Sequence, residues 1–157
     1  MFLIGKFESS KVRKFENLQG YDISTNAISL AKIHSEKKGY KIKFDVLDLT
    51  EPFPDGIIKD KAVFTHACLE QTKHHIPDIL KNIINGKPKL IINFEVDYES
   101  SPSIVKRYIN ALDYQNNLVS ELKKLEKENK IEVICIEKLP LSLSPVNRLS
   151  VIVWKIK

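Results

Sequence analysis

Short apolar segments alternate with amphipathic segments along most of this chain, and the alternation constrains its fold more than any other feature. Patterns typical of strands occupy residues 18–21, 42–47, 61–69, 90–95, 131–137 and 149–155. Helical periodicity occupies residues 25–38, 77–85 and 103–129, the last with a break near Asp113. Strands that alternate with helices favour a parallel sheet covered by helices on both faces. We therefore predict a doubly wound, mostly parallel α/β fold that forms a single domain over residues 1–157.

Local signals at the ends of these segments support the assignment. Ser24 can cap a helix that begins at Thr25, and Gly39 can end that helix in a left-handed conformation. Pro77 suits a first helical turn, and Gly86 suits the corresponding end. The last two strands are joined by a segment without helical periodicity, so we expect them to pair antiparallel at one edge of the sheet.

Charge and cysteine content narrow the class of protein. The chain of 157 residues carries a net charge of +5, but many of its lysines alternate with glutamates and no aromatic residues interleave with them. This pattern indicates solvated surfaces, so we do not expect a nucleic-acid partner.

Cys68 and Cys135 lie in apolar strands, as buried thiols do. No apolar run approaches the roughly 20 residues that span a bilayer, so we expect a cytoplasmic protein without a membrane partner.

Two acidic residues directly follow neighbouring predicted strands. In doubly wound sheets, ligands bind beyond the carboxyl ends of the strands. Asp22 could accept hydrogen bonds from the hydroxyls of a ribose, with Ile23 packed on a base, and Asp48 could accept one from an exocyclic amine. Either aspartate could instead be a capping or turn residue. Their joint occurrence at two neighbouring strand ends favours a nucleoside site.

Further polar residues follow the other strands. Thr65 and His66 come after one apolar run, and Glu95 and Tyr98 lie at or beyond the end of another. His66 could act as a general base, because imidazole exchanges protons near neutral pH; it could equally be hydrogen-bonded within its loop. His74 and the histidine beside it lack partners at ligand spacing, so we expect no metal site.

Several of these motifs occur in an order that resembles one enzyme family. They are Gly20-Tyr21-Asp22-Ile23-Ser24 with Ala27-Ile28 and Ala31, Asp45-Val46-Leu47-Asp48-Leu49, Pro52-Phe53-Pro54-Asp55-Gly56, Leu69-Glu70-Gln71, and the ending Asn147-Arg148-Leu149-Ser150-Val151-Ile152-Val153-Trp154. Their succession over residues 20–157 resembles the class I S-adenosylmethionine-dependent methyltransferases. The resemblance implies a Rossmann-like fold with S-adenosylmethionine as the cofactor.

The resemblance also implies roles for individual residues. The residues implied to bind the cofactor are Gly5, Asp22, Ile23, Ser24, Asp48, Leu49 and Thr65. Asp22 would bind the ribose, Ile23 would flank the adenine, and Asp48 with Leu49 would contact the adenine edge. Thr65, His66 and Glu70 would line the floor between cofactor and substrate, with His66 as the catalytic base. Glu70, Glu95 and Tyr98 would contact the substrate.

The N-terminal segment departs from the family pattern. Members open with a strand and a glycine-rich turn whose bare backbone lets the methionine part of the cofactor approach. Here Gly5 fits the first glycine, but Phe7 and Ser9 occupy the places of later ones, and Leu3 replaces an acid. The usual preceding helix is also absent. We therefore expect a shortened or degenerate N-terminal part of the fold.

Two functions follow from this reading. The first is an S-adenosylmethionine-dependent methyltransferase that acts on a small-molecule, sugar or lipid acceptor. The second is a catalytically inactive methyltransferase-like domain that serves as a binding module. In the second case the incomplete first strand would leave the sheet unsupported, and self-association would occur there.

Overall fold

The structure is a computed structural model that describes residues 2–6, 16–114, 117–139 and 149–157. Its strands are β1 (Phe2–Lys6), β2 (Glu16–Asp22), β3 (Lys43–Val46), β4 (Ala62–His66), β5 (Leu90–Val96), β6 (Ile131–Lys138) and β7 (Leu149–Ile156). Its helices are α1 (Thr25–Lys38), α2 (Ile76–Asn85), α3 (Ser103–Ala111) and α4 (Leu118–Lys127), and a short 3₁₀ turn, Lys73–His75, precedes α2. The predicted alternation of strands and helices is confirmed.

The strands form one seven-stranded sheet in the order β3-β2-β1-β4-β5-β7-β6. β2 pairs parallel with β3, β4 pairs parallel with β5, and β7 pairs antiparallel with both β5 and β6. All strands except β1 and β7 therefore run in the same direction. The predicted mostly parallel sheet and its antiparallel C-terminal pair are confirmed.

The first strand, β1, runs opposite to both of its neighbours. Phe2 pairs with Tyr21 of β2 and with Thr65 of β4, at the carboxyl ends of those strands. Gly5 pairs with Ala62 at the start of β4, so it lies at the other edge of the sheet from Asp22. The strand pairing therefore gives no support to the prediction that Gly5 contacts the cofactor.

The position of β1 also corrects the predicted gap in the sheet. β1 lies between β2 and β4 and pairs with both, so the sheet is continuous at this place. The incomplete sheet that we expected, and the self-association based on it, therefore have no support in the strand pairing. The backbone groups of β1 already pair with two strands, so another chain could pack here only against a face of the sheet.

Helices cover both faces of the sheet. The β2–α1–β3 and β4–α2–β5 connections step toward opposite edges of the sheet. Because such crossovers are right-handed, α1 and α2 must lie on opposite faces. α4 contacts both α2 and β6 and lies on the same face as α2. The predicted arrangement of helices on both faces is confirmed.

The main hydrophobic core lies between the sheet and the α2–α4 layer. Fully buried apolar side chains from the two helices meet those of the central strands. They include Ile79, Leu80, Ile83, Leu118 and Leu122 from the helices and Val63, Ile91, Ile152 and Trp154 from the strands. Each such side chain contributes about 1.5–3 kcal/mol through burial, so this layer fixes the strands whose carboxyl ends form the site.

Local sequence signals determine the bounds of α1. The Ser24 hydroxyl accepts a hydrogen bond from the Ala27 amide at 3.2 Å. Gly39 has a φ of 69°, and its amide donates to the carbonyls of Ser35 and Glu36. A left-handed residue of this kind ends a helix and favours glycine. The helix predicted from residue 25 to 38 is therefore confirmed at both ends.

The long amphipathic segment after β5 forms two helices. α3 ends at Ala111, and Asp113 has a φ of 54°, a left-handed conformation that does not continue a helix. The predicted break near Asp113 is confirmed.

None of the helices in the described ranges has the length and apolar character that crossing a membrane requires.

Candidate functional site

A cavity of about 500 Å³ lies at the carboxyl ends of β2, β3 and β4. This volume is within the range of roughly 300–1,000 Å³ that is typical of small-molecule sites. The residues that line it are Tyr21, Asp22, Ile23, Leu47, Asp48, Leu49, Thr50, Ala67, Cys68, Gln71, Thr72 and His75. The cavity thus occupies the position where doubly wound sheets bind their ligands.

The turn from β2 into α1 supplies a carboxylate and an apolar side chain. Asp22 is the last residue of β2, and its Oδ1 accepts a hydrogen bond from the Ser24 amide at 2.9 Å. This bond fixes the carboxylate at the mouth of the cavity. Ile23 leaves 66% of its surface exposed. An exposed isoleucine beside a carboxylate offers an apolar surface for a flat ring and an acceptor for hydroxyl groups.

The segment after β3 supplies the second carboxylate. Asp48 Oδ1 accepts hydrogen bonds from the Thr50 amide at 2.9 Å and from the Thr50 hydroxyl at 2.7 Å. These bonds, that of the hydroxyl above all, lower the pKa of Asp48 below its ordinary value. The Leu47 amide donates to the Asp22 carbonyl at 3.1 Å. This link between strand ends holds both acids at the same edge of the sheet.

A side chain from α2 supports the segment that follows β3. Asn82 Nδ2 donates to the carbonyls of Leu49, Thr50 and Glu51 at 3.2, 3.1 and 2.9 Å. One amide group thus holds three consecutive peptide units next to Asp48. The wall formed by Leu49 and Thr50 is therefore anchored to a helix that the core keeps in place.

The loop after β4 forms the remaining wall. Ala67 has a φ of 46°, and its amide donates to the Phe94 carbonyl at 3.0 Å. The Thr72 hydroxyl donates to the Leu69 carbonyl at 2.7 Å, which closes a turn before the 3₁₀ segment. That short segment brings His75 to the cavity.

The Cys68 thiol in this wall is not a nucleophile at neutral pH. Burial, with a smaller contribution from the nearby Glu95 carboxylate, raises the pKa of Cys68 to about 12. The thiolate is the reactive form of cysteine, so a thiol with this pKa is inert near pH 7. Cys68 contributes shape to the cavity, and its Sγ lies 3.7 Å from Glu95 Oε1.

The structure brings four of the predicted site residues together. Asp22, Ile23, Asp48 and Leu49 all line the cavity. Ser24 lies beside them but is engaged as the cap of α1. His66 is exposed at the end of β4, where its ring packs against Phe94 with centroids 6.5 Å apart. It is not one of the residues that line the cavity.

Other predicted site residues are buried away from the cavity. Thr65 and Glu95 have no exposed surface and do not line the cavity, so the burial of these side chains gives no support to their predicted contacts with cofactor and substrate. Thr65 accepts a hydrogen bond from Asn93, and Glu95 accepts bonds from loop amides. Glu70 is also buried. The burial of Thr65 follows from strand geometry. Successive side chains of a strand point to opposite faces of the sheet, and Thr65 points to the face that carries the core.

Tyr98 belongs to a second hydrophobic cluster under α3. It packs there with Val105 and Ile109, and its hydroxyl accepts a hydrogen bond from Asn110 Nδ2 at 3.1 Å. The Lys106 ammonium lies 5.4 Å from the centre of its ring. These contacts hold Tyr98 against α3 rather than in the cavity, and its contact with a substrate stays a prediction.

No protein-family model matches the sequence, and no curated protein matches it significantly. Solved structures do resemble the fold. A SAM-dependent methyltransferase from Methanosarcina mazei superposes with a TM-score of 0.67 and 17% sequence identity. The superposition covers 88% of this chain and 81% of that one.

Two larger enzymes also superpose. Magnesium protoporphyrin IX methyltransferase from Synechocystis PCC 6803, with bound SAH, gives a TM-score of 0.65 at 11% identity. An O-methyltransferase from neocarzinostatin biosynthesis, in complex with S-adenosylmethionine and 2-hydroxy-5-methyl naphthoic acid, gives 0.61 at 14% identity. Each superposition covers 88% of this chain, but only 64% and 41% of the two enzymes.

These likenesses agree with the strand order, the helix placement and the antiparallel C-terminal pair. At such low sequence identity, they establish architecture and leave function to the residues of the site. The chain has the Rossmann-like fold of the class I SAM-dependent methyltransferases.

Proposed function

We propose that this chain binds S-adenosylmethionine in the cavity through the adenosine end of the cofactor. The observation that carries the proposal is the placement of Asp22 and Asp48, from two neighbouring strands, in one cavity with Ile23 and Leu49. Asp22 would accept hydrogen bonds from the ribose hydroxyls, and Asp48 would accept one from the exocyclic amine. Ile23 would pack on the adenine, with Leu49 at its edge.

The chemistry of the lining favours this ligand over a nucleotide. Within the described part of the chain, the residues around the cavity include two carboxylates and neither lysine nor arginine. Phosphate groups are usually held by such cations or by helix N-termini. α1 and α2 both begin beside the cavity, but the two carboxylates there would repel a phosphate group. A nucleoside that carries a positive sulfonium suits two carboxylates better than a phosphorylated one.

The reaction served by this binding would be methyl transfer to a small-molecule, sugar or lipid acceptor. The sulfonium of the cofactor activates its own methyl group, so the protein mainly has to align donor and acceptor. His66 lies next to Ala67 of the cavity wall and is exposed. It would take the proton from an acceptor that must lose one.

The direction of β1 supports a second candidate, a domain that binds the nucleoside without transferring a methyl group. The two residues that flank the segment between β1 and β2, Lys6 and Glu16, pair with each other at the edge opposite the cavity. Gly5, which the family resemblance assigns to the glycine-rich turn, thus lies away from the cavity and is not positioned to hold the methionine end. Without contacts that fix the methionine end of the cofactor, the reactive methyl group would not be held in line with an acceptor.

Binding and transfer assays together separate the two candidates. Equilibrium titration with S-adenosylhomocysteine (SAH), the product form of the cofactor, measures binding. We expect Asp48→Asn to weaken it, and Asp55→Asn, an exposed aspartate outside the cavity, to leave it unchanged. Transfer of a labelled methyl group to a panel of small acceptors then supports the enzyme. Binding without transfer supports the second candidate, and no binding by the folded protein contradicts both.

A further inference from the structure

We propose that Glu95 is a positioning residue that holds the Ala67–Leu69 wall of the cavity in the shape needed for nucleoside binding. This inference rests on the proposed function, because the wall matters only if the cavity takes a ligand. Glu95 lies at the carboxyl end of β5, directly behind this wall. It does not touch the cavity itself, so any effect on binding must pass through the loop.

The Glu95 carboxylate accepts hydrogen bonds from two consecutive loop amides. Oε1 lies 3.2 Å from the Cys68 amide nitrogen, and Oε2 lies 3.3 Å from that of Leu69. The side chain is fully buried, so water does not compete for these bonds. A carboxylate can serve both donors at once, whereas a carboxamide offers only one acceptor atom.

β5 thus fixes three successive peptide units of the loop. The Ala67 amide donates to the Phe94 carbonyl, and the next two amides donate to the Glu95 side chain. Ala67 has a positive φ, which an alanine adopts only when its surroundings impose it. The bonds to Phe94 and Glu95 supply that constraint. They place Ala67 and Cys68 in the cavity wall, with Gln71 following in the same segment.

A buried polar chain in turn holds Glu95. The Thr65 hydroxyl accepts a bond from Asn93 Nδ2 at 2.9 Å and, by hydrogen bonding, lowers the pKa of the Glu95 carboxyl group. Asn93 Oδ1 accepts one from Trp154 Nε1 at 2.7 Å. The chain runs from β7 through β5 and β4 to the loop, and each of its side chains is buried. A network with satisfied partners is rigid, so the loop is supported from the core of the sheet.

A merely structural role for Glu95 makes a different prediction from a positioning role. A structural carboxylate would affect the stability of the protein but not the ligand affinity of molecules that have folded. A positioning carboxylate would also affect that affinity, since the loss of one hydrogen bond from a loop amide would free the wall. Glu126 provides the matched control, because its Oε1 accepts a bond from the Val133 amide at 2.8 Å, far from the cavity.

The test compares Glu95→Gln with Glu126→Gln by two measurements. Hydrogen exchange of the Cys68 and Leu69 amides in the ligand-free protein reports on the loop, and titration with SAH reports on the cavity. We expect faster exchange of these amides in Glu95→Gln and a loss of SAH affinity of about tenfold, the equivalent of one buried hydrogen bond. Glu126→Gln should change neither quantity.

Two results would overturn the inference: unchanged exchange of both amides, or faster exchange with unchanged SAH affinity. If the wild-type protein does not bind SAH, the proposed function fails, and the role in binding falls with it, while the exchange data still decide whether Glu95 holds the loop. If Glu95→Gln does not fold, the pair Thr65→Val and Thr65→Ser replaces it. The serine variant keeps the hydroxyl that contacts Glu95 and should restore the affinity that the valine variant loses.

Discussion

Gly5 pairs with Ala62 at the first residue of β4, so the carboxyl end of β1 lies at the edge of the sheet opposite the cavity. If β1 ran parallel to β2 and β4, Gly5 would instead lie near the carboxyl ends of those strands, on the side of the cavity. The reversal separates the two ends of the proposed cofactor site. The acids and apolar residues proposed to bind the adenosine end line the cavity, whereas Gly5, which the family resemblance places at the methionine end, does not lie beside it.

The reversal predicts that the amino-acid tail of the cofactor contributes little to binding. Adenosine and SAH share the nucleoside and differ in the homocysteine tail. Because Gly5 lies at the end of the sheet opposite the cavity, we expect their dissociation constants to agree within about tenfold, or about 1.4 kcal/mol. Calorimetric titration of the same preparation with both ligands measures the ratio. A preference for SAH of about 100-fold or more would show that other residues grip the tail.

The Thr50 hydroxyl is predicted to hold the pKa of Asp48 below its ordinary value. Thr50→Val removes the donor that lowers the Asp48 pKa most, so this pKa should rise toward its ordinary value. Thr50→Ser keeps a hydroxyl and should leave it low. An acid whose pKa is lowered on folding stabilises the folded state above its unfolded pKa and loses that effect as the pH falls through its folded pKa. Carbon NMR titration of the Asp48 carboxyl measures the shift, and equal values in all three proteins would refute the assignment.

Glu95 should make the folded protein less stable as the pH rises. Burial, the largest cause, raises its pKa from 4.5 to about 7. Between these values the folded state binds the proton more tightly than the unfolded chain, so the free energy of unfolding falls as the proton is released, by an amount on the order of 3 kcal/mol.

Urea unfolding at about pH 5 and about pH 8 measures this dependence, and Glu95→Gln should flatten it because the amide does not titrate. All other ionisable groups, including the buried Glu70 near Glu95, are the same in both proteins. The difference between the two pH profiles therefore isolates Glu95. Profiles that run parallel would contradict the raised pKa.

Trp154 should be a large contributor to stability through both its ring and its indole N–H. Trp154→Phe leaves Asn93 Oδ1 without this donor and opens space beside Ile91 in the core. Together these effects should cost about 2–4 kcal/mol of unfolding free energy. Tyr98→Phe removes a hydroxyl whose bond to Asn110 is exposed, so it should cost less than about 1 kcal/mol. Chemical denaturation of the two variants compares them; similar losses would contradict the buried network.

The features predicted correctly are those with local causes. Ser24 and Gly39 set the bounds of α1 through bonds within a few residues. The two acids were found because each directly follows an apolar strand. Their neighbour Thr50 could have been found from its spacing to Asp48, since a hydroxyl two residues after an aspartate commonly bonds back to it.

The features that the sequence did not predict have distant causes. An apolar pattern such as that of β1 identifies a strand but not its direction, which depends on which partners it pairs with. The burial of Glu95 depends on amides of a loop more than 20 residues earlier in the chain. His75 and Asn82 reach the site only because a 3₁₀ turn and α2 place them there.

The measurement that tests the central claim most directly is calorimetric titration of the wild-type chain and of Asp22→Ala with SAH. We expect micromolar binding by the wild-type protein and its loss in the variant, since the carboxylate held by the Ser24 amide would be the acceptor for the ribose hydroxyls. Absence of binding by a folded wild-type protein, or equal binding by the variant, would contradict nucleoside recognition in this cavity.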